Sequence, residues 1–600
     1  MSMLHIEKNT FHMNPDLKGY FLRDQHLLSM KTIICFLLLF GGFISGCALS
    51  NTAQSPVTVN APSVKYRSEL TDPEAKALFA FSEFRVLGAE NRWQEAISAL
   101  KRAISFDPGS DYLSLILAQV YLHQQLPELA VDTLAVLLAR DPESVAGHQL
   151  MGDALSYQHD FSSAIEHFRL ALELAPENNS LKLRLAMALT QLGRKDEAIV
   201  VLEALLEQQP EVTLAQLNLA RLYLGEKQID MASLIYQQLL KSHPDQLQAT
   251  LEYGKVLEQQ DQEAALELYQ SFLAENPSAV AVRQQLAQYY LTRQQLGDAL
   301  EQFKMVRQQY PDNLQIINHI GLIQLELEAW GEAEKDFRLL LKSDSQQGHS
   351  RYYLAMALSG QGKRQEAISV LEQVSENSPV YPEAGLQLAY LYKQNDQSNK
   401  AITFLWQMVE QDIHLPEVYY YLVAFLGDLG EQKRATDAAL AGIEKNPTDT
   451  PLLYQLGVLY EKQNKRQAAV ETMEKILQLD DAHSDALNFL AYDQAESGID
   501  LDLALTRAKK ALALKPSGYI ADTLGWIYFK MGRYSESRKQ LEKAAELHPD
   551  DAVIQEHLGD LYSAMKLPMK AASAYRRALE IDPQAKQVKD KLRILTSEGF

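Results

Sequence analysis

The sequence predicts an all-α protein built as a solenoid of helix pairs, and two observations carry that prediction. The 600-residue chain contains only 28 glycines and 21 prolines, so turn formers are scarce, whereas the strong helix formers Ala, Leu, Gln and Glu are frequent. Twelve prolines recur at intervals of 34 residues, of 33 or 35 where one residue is lost or gained, or of twice that period. A fixed period of this length is typical of stacked helix–turn–helix units. The prolines are Pro108, Pro142, Pro176, Pro210, Pro244, Pro277, Pro311, Pro379, Pro447, Pro516, Pro549 and Pro583.

The first segment of the chain lies outside this period and has the pattern of a signal peptide. Met30 and Lys31 precede an apolar run over residues 33–43, which is shorter than the roughly 20 residues that a spanning helix needs. We interpret residues 1–46 as a signal peptide and Met30 as the true start, because residues 1–29 would make an unusually long polar leader.

Cys47 stands where cleavage of that signal peptide is expected. The string Ile-Ser-Gly-Cys at residues 44–47 resembles a bacterial lipobox, which implies that Cys47 becomes the acylated first residue, for example by palmitate. Ala48 follows it instead of Asp, and by the same resemblance this implies the outer membrane, facing the periplasm. Residues 47–73, small, polar and rich in proline, then form a flexible tether. The alternative is an ordinary signal peptide, or a short membrane anchor, that happens to carry a cysteine.

The rest of the chain repeats one unit. Fifteen units are predicted over residues 77–585 when the three sites without proline, at Ser345, Ile413 and Asp481, are counted. One unit has lost a residue between its two helices, at 246–279, and one has gained a residue near Gly498. Residues 586–600 are predicted to form a capping helix over the last unit.

Each unit has the same internal order of small and large residues. Gly or Ala at the eighth position and Ala at the twentieth, such as Ala164 and Ala571, allow the two helices to approach closely, and larger residues fill the space between them. The last unit shows the whole pattern with Leu558, Gly559, Tyr562, Ala571, Tyr575, Ala578 and Pro583. The pattern resembles the tetratricopeptide repeat, and the resemblance implies a right-handed superhelix whose first helices line its concave face.

The last third of the chain carries a more particular resemblance. Over residues 485–585 the strings ALNFLAY, ADTLGWIYFKMGRYSES and HLGDLY resemble a group of proteobacterial tetratricopeptide lipoproteins. That resemblance implies an adaptor for periplasmic proteases.

Aromatic residues gather at groove-lining positions of the C-terminal first helices, over residues 348–530. Aromatic side chains bury much area at little entropic cost and recur as interface anchors. We therefore predict a protein-binding groove there, with the alternative that several of these side chains only pack between neighbouring first helices. The groove lacks the Lys, Asn and Arg set with which some family members clamp a terminal carboxylate. The candidate residues are Tyr352, Tyr353, Tyr390, Tyr420, Tyr421, Tyr454, Phe489, Tyr492, Tyr519, Trp526 and Phe529.

The sequence predicts neither enzyme chemistry nor a cofactor. It contains no zincin, P-loop, dinucleotide-binding or nucleophile-elbow motif, and no small-molecule substrate is expected. His148, His159 and His167 fall within one unit but at no spacing typical of metal ligands. The net charge of −21 disfavours nucleic acid as a partner.

Together these patterns predict a non-catalytic, lipid-anchored scaffold or adaptor. It would bind periplasmic or envelope proteins, a protease among them, at the outer membrane. The alternative function is that of a subunit of an envelope export or assembly machine for polysaccharide, pili or proteins.

Overall fold

The computed structural model describes residues 72–343, 347–413 and 415–597. The predicted signal peptide, Cys47 and nearly all of the predicted tether lie outside these residues. The described part of the chain is all-helical, with 31 helices that pack in consecutive pairs, and it falls into two compact units. No helix in the described ranges is long and apolar enough to span a membrane.

The N-terminal unit, residues 72–309, holds seven helix pairs, in which a short turn joins a first helix to a second helix. They are α1 Pro73–Ala89, α2 Trp93–Phe106, α3 Asp111–His123, α4 Pro127–Arg140, α5 Val145–Tyr157, α6 Phe161–Leu174, α7 Asn179–Gln191, α8 Lys195–Gln208, α9 Thr213–Gly225, α10 Ile229–Ser242, α11 Leu247–Gln260, α12 Gln262–Glu275, α13 Val280–Thr292 and α14 Leu296–Gln309.

The C-terminal unit, residues 310–597, continues the same alternation with eight pairs and one final helix. Its helices are α15 Leu314–Glu326, α16 Trp330–Ser343, α17 Gln347–Gly360, α18 Arg364–Leu371, α19 Tyr381–Gln394, α20 Ser398–Glu410, α21 Pro416–Asp428, α22 Gln432–Lys445, α23 Thr450–Lys462, α24 Arg466–Leu479, α25 Ser484–Ser497, α26 Leu501–Leu514, α27 Gly518–Lys530, α28 Tyr534–Leu547, α29 Ala552–Ala564, α30 Pro568–Ile581 and α31 Lys586–Ser597.

Each pair is held together by a large side chain of the second helix that lies against a small residue of the first. A Cβ atom added to Gly254 would lie 2.3 Å from the Tyr269 ring, and one added to Gly559 would lie 2.3 Å from the Tyr575 ring. Leu and Ile side chains such as Leu134, Ile320 and Leu541 fill the remaining space between neighbouring helices and are fully buried. The predicted close approach between paired helices is therefore present in both units.

Some helix boundaries differ from a strict period for local reasons. Helix α1 begins at Pro73, before the predicted first unit, because Asp72 accepts a hydrogen bond from the Glu74 amide and proline suits the first helical position. Asp261 alone separates α11 from α12, where it caps α12 and replaces the lost turn residue. Helix α18 is only eight residues long.

The early end of α18 follows from its sequence. The residues after Leu371 include the turn formers Ser375, Asn377, Ser378 and Pro379, whose side chains or fixed φ compete with helix. Ser375 Oγ accepts a hydrogen bond from the Asn377 amide, a local turn that replaces the missing helical turns.

The last helix, α31, packs on the final pair. Val588 is 1% exposed and lies in a cluster with Tyr575 and Ala578. Lys591 Nζ lies 2.7 Å from Glu556 Oε1 and 2.6 Å from Asp560 Oδ2, both on α29. An apolar contact and two ion pairs therefore hold this helix in place.

Candidate functional site

The eleven aromatic residues chosen from the sequence lie on first helices, but the structure exposes them very unequally. Among these eleven residues Tyr519 is exposed, with 42% of its surface accessible to solvent. Five are partly buried: Tyr352, Tyr390, Tyr420, Tyr454 and Phe529. Five more are buried: Tyr353, Tyr421, Phe489, Tyr492 and Trp526. The buried members contribute to packing, which was the alternative interpretation for this set.

A row of rings connects the first helices α19 and α21. The ring centroids of Tyr390 and Tyr421 are 6.5 Å apart with an interplanar angle of 26°, and the Tyr421 and Phe425 rings stack at 5.5 Å. Burial, with a smaller contribution from Tyr390 and then from Glu417, raises the pKa of the Tyr421 phenol. The pair therefore joins two successive repeats, with Tyr421 buried and Tyr390 partly buried.

Helix α17 contributes a second pair of rings. The Tyr352 and Tyr353 centroids are 5.4 Å apart, and Tyr353 also stacks on Phe337 of α16 at 5.5 Å. Burial, with a smaller effect of the Glu383 carboxylate, raises the pKa of Tyr353 to about 12. Tyr353 is thus both a packing residue and part of the same electrostatic environment as Glu383.

Two further tyrosines of the set contact polar groups where a helix starts. The Tyr420 hydroxyl donates to Asp449, with oxygen–oxygen distances of 2.9 Å and 2.8 Å. Asp449 also accepts from the Leu452 amide and so caps α23. Tyr454 lies 5.8 Å from the His483 ring, and His483 caps α25 through the Ala486 amide.

Trp526 lies at the centre of a dense cluster on α25, α27 and α29. Its ring stacks on His557 at 4.0 Å and on Phe529 at 4.8 Å, and Lys530 Nζ lies 4.8 Å from its centroid. Its indole N–H donates to Glu496 Oε1 at 2.5 Å. With both faces and its one donor occupied, Trp526 positions three successive first helices.

Asp522 and His557 form the polar core of this Trp526 cluster. Each is 5% exposed, and His557 Nδ1 lies 2.9 Å and 3.0 Å from the two Asp522 carboxylate oxygens. Burial opposes protonation of the imidazole, but Asp522 outweighs it, so the pKa of His557 is raised. The sequence search missed this pair because its members are far apart along the chain and form no local motif.

The structure also brings together two histidines that the sequence spacing kept apart. His148 Nδ1 on α5 lies 2.9 Å from His167 Nδ1 on α6, and His148 Nε2 lies 2.9 Å from the Pro142 carbonyl. Since that carbonyl can only accept, we assign the proton of His148 to Nε2, and His167 then donates to His148 Nδ1. Burial and then His148 lower the pKa of His167. Within the described residues, no group of three or more His, Cys, Asp or Glu side chains is arranged to hold a metal.

The first helices of the N-terminal unit present a different surface, in which charges pair between successive repeats. Arg184 on α7 pairs with Asp153 on α5. Arg221 on α9 lies 2.6 Å from Glu252 on α11, which also accepts from the Tyr236 hydroxyl. These faces are polar and locally balanced in charge.

Within each unit, helix pairs of similar length follow one another, which defines a helical-repeat scaffold. Sequence comparison agrees over much of the chain: tetratricopeptide repeat models match residues 88–154, 155–215, 196–252, 349–379, 450–483 and 523–586. The matched residues, just under half of the chain, are therefore tetratricopeptide repeats, which serve as scaffolds for binding other proteins.

Curated relatives are distant and match in part. The TPR repeat-containing protein PA4667 of Pseudomonas aeruginosa is 28% identical over 152 residues, which is 25% of this chain and 26% of that protein. Anaphase-promoting complex subunit 3 of Schizosaccharomyces pombe is 24% identical over 144 residues, 24% of this chain and 22% of its own length. The BBSome complex member bbs-4 of Caenorhabditis elegans is 24% identical over 181 residues, 29% and 39% of the two chains. The alignments therefore span well under half of each relative.

Solved structures match this chain only at low identity and low TM-score. The Cut9–Hcn1 tetramer of the anaphase-promoting complex is 16% identical, covers 88% of this chain and 99% of that chain, and has a TM-score of 0.29. Yeast Tom70 is 14% identical, covers 76% and 95% of the two chains, and also has a TM-score of 0.29. At such TM-scores the likeness carries no argument about partners.

Proposed function

We propose that this protein is a lipid-anchored adaptor of the bacterial outer membrane that holds periplasmic proteins, a protease among them, on its repeats. The main support is that helix pairs of one kind follow each other through both units, so that the described part of the chain offers binding faces throughout its length. The lipobox-like string at residues 44–47 supports the location, and the strings over residues 485–585 support the kind of partner.

The relatives support an adaptor in a general way. Anaphase-promoting complex subunit 3 and bbs-4 are named as members of multiprotein complexes. By analogy this chain would join proteins rather than convert a substrate, and no catalytic residue is needed for that role.

The membrane part of the proposal is tested by Cys47→Ser. The variant removes the acylated thiol, so it should move from the membrane fraction to the periplasmic fraction and lose labelling by a fatty-acid analogue. Cys35→Ser is the matched control, since that cysteine lies in the predicted signal peptide, and it should leave both properties unchanged. A Cys47→Ser protein that stays labelled and membrane-bound would refute the anchor.

The partner part is tested by site-specific photo-crosslinking in intact cells. A crosslinking amino acid at Tyr519, the exposed member of the aromatic set, should capture a periplasmic protease, identified by mass spectrometry. The same group at Tyr310, which is 52% exposed and not on a first helix, is the control and should not capture it. Capture of components of an export apparatus at Tyr519 would instead support the alternative function.

A further inference from the structure

The first helix of the described chain, α1, exposes two apolar side chains. Phe79 is the third residue of the first repeat unit and Val86 the tenth, and they are 65% and 59% exposed. In every later unit, from Leu113 to Ile554, the third residue is buried. The exposure of Phe79 therefore comes from the place of α1 at the end of the repeats, not from its position within the unit.

The later units show what this third position contacts. Leu113 lies in one apolar cluster with Leu100 and Ala103 of α2, which is the second helix of the previous pair. In the last pair, Ile554 lies in a cluster with Ala544 of α28, again the second helix of the previous pair. The third position thus packs on the preceding repeat, and α1 has no preceding repeat within the described residues.

Not every exposed apolar side chain of α1 is unusual. Leu78 is 67% exposed, but Tyr112, at the same second position of the next unit, is 61% exposed as well. The opposite face of α1 is buried and includes Ala80 and Leu87. A helix with apolar side chains on both faces is typical of a helix that is covered on both sides. The face that carries Phe79 lacks such a cover in the part of the chain that the structure describes.

The other end of the repeats is covered by the chain itself. Helix α31 follows the last pair, and its Val588, 1% exposed, packs with Tyr575. The terminal units of a repeat array need such caps, because one apolar face would otherwise meet water. A cap from the same chain has an advantage over a second molecule, since a short connection gives an effective concentration in the millimolar range.

The residues just before α1 have the sequence pattern of such a cover. In the string Val-Lys-Tyr-Arg-Ser-Glu-Leu at residues 64–70, apolar Val64, Tyr66 and Leu70 alternate with charged residues. An extended chain places alternate side chains on opposite faces, so the three apolar side chains would share one face and the charged ones the other. The string lies outside the described residues and ends just before Asp72, which caps α1.

We infer that residues 64–70 fold back along α1 and cover Phe79 and Val86. At about 1.5 Å per helical residue, these two side chains lie roughly 10 Å and 20 Å from Asp72 along the helix axis. An extended chain covers those distances in about three and six residues. After a reversal of about three residues, Tyr66 would reach the level of Phe79, and the residues around 64 that of Val86.

This cover changes the predicted tether. Residues 64–70 would belong to the repeat domain, and only residues 47–63 would connect that domain to Cys47. The inference goes beyond the proposed adaptor function and does not depend on acylation of Cys47, because the contact lies within the chain that follows it.

Photo-crosslinking in the purified protein tests the contact. A crosslinking amino acid at Phe79 is placed in an equal mixture of unlabelled and heavy-isotope-labelled chains. It should form cross-links to residues 64–70 in which both peptides carry the same label, because the contact is within one chain. The same group at Val136, which is 66% exposed on α4, is the control and should form none with residues 64–70.

Matched variants separate the two faces of the string. Val64→Ser with Tyr66→Ser removes apolar contacts, so cross-linking from Phe79 should fall about tenfold or more. Hydrogen exchange in α1 should become faster in the same variant, because its cover is lost. Lys65→Ser with Arg67→Ser alters the charged face and should change both measurements by less than about twofold. Circular dichroism checks that both double variants keep their helicity.

Three results would overturn the inference. Cross-links from Phe79 in which the two peptides carry different labels would show that a second copy covers α1. Absence of cross-links to residues 64–70 would show that this string is not the cover. Equal effects of the two double variants would show that its apolar face has no special role. The adaptor function would stand in each case, since partner capture at Tyr519 tests it separately.

Discussion

The two units of this protein share one packing scheme and differ in what their first helices show. In both, a large side chain of the second helix fills the place beside a small residue of the first, as Tyr269 does beside Gly254 and Tyr575 beside Gly559. Ion pairs such as Arg221–Glu252 join successive first helices of the N-terminal unit, and in the C-terminal unit rings such as Tyr390–Tyr421 join them beside ion pairs such as Lys393–Asp428. The repeat therefore determines the packing inside each helix pair, whereas the side chains between successive first helices can differ from one repeat to the next.

The largest expected effect is a loss of local stability when the ninth residue of a first helix is replaced by alanine. Trp526 is the ninth residue of α27 and Arg221 the ninth of α9. Trp526→Ala should cost about 3–5 kcal/mol of local stability because a buried stack is lost. Arg221→Ala should cost about 0.2–1 kcal/mol, since the pair is 44% exposed on its Arg side and Glu252 keeps the Tyr236 hydroxyl.

Hydrogen exchange resolved by mass spectrometry measures this difference repeat by repeat, which suits a chain whose repeats need not unfold together. The wild-type chain is the reference for both variants. If the two substitutions lower the opening free energy of their repeats equally, the contrast between the two faces is wrong.

A second prediction concerns the interior that the two units share. Ala164 is the fourth residue of α6 and Ala571 the fourth of α30, and both are fully buried. Leu at either position should destabilise its repeat by about 1–3 kcal/mol through overpacking. Urea unfolding followed by circular dichroism, with Ala→Ser at the same positions as the small-residue control, measures it. One unit tolerating Leu while the other does not would show that the packing scheme is not common to both.

The third prediction is the smallest effect and has opposite signs in the two units. The pKa of His557 is raised, so its contribution is complete below the ordinary value of 6.5 and is lost as the pH rises through the folded value. The pKa of His167 is lowered by burial and by His148, so its contribution is present above 6.5 and is lost as the pH falls through the folded value. The charged groups facing His557 are Asp522, Asp551, Glu556 and Asp560.

The measurement compares each histidine with its Gln variant between about pH 5 and pH 9. The stability lost in His557→Gln should be larger at the acid end, and that lost in His167→Gln larger at the alkaline end. The difference from wild type removes the titration of groups common to both proteins. If the stability loss of both variants changed with pH in the same direction, the environments assigned to the two histidines would be wrong.

Much of the fold could be predicted from the sequence, because the same pattern of residues recurs in every repeat. The 34-residue period of the prolines predicted helix pairs, and the structure confirms that the described residues are all-helical with paired packing. The short helix α18 was not predicted, since its turn formers between Leu371 and Tyr381 end in a proline that keeps the period intact. Period alone does not report how many residues of each unit are helical.

The candidate site was predicted less well, because position within a repeat does not determine exposure. Tyr519 and Trp526 lie on the same first helix, α27, yet Tyr519 is 42% exposed and Trp526 is 7% exposed. The difference comes from His557 and Glu496, which belong to other repeats and close around Trp526. An alanine substitution at Trp526 therefore tests stability before it tests binding, and Tyr519 is the better probe of a partner.

By itself the sequence determined the helix pairs, the small residues between them and the choice of aromatic or ionic side chains for the first helices. These properties are local or periodic, so one unit is enough to specify them. Only the tertiary structure decided which carboxylates have a hydrogen-bond donor. Asp522 is hydrogen-bonded to His557, whereas Glu417 Oε2 has no partner within the described residues. That outcome depends on side chains that meet across repeats, and the distance between them in space does not follow from their separation in the chain.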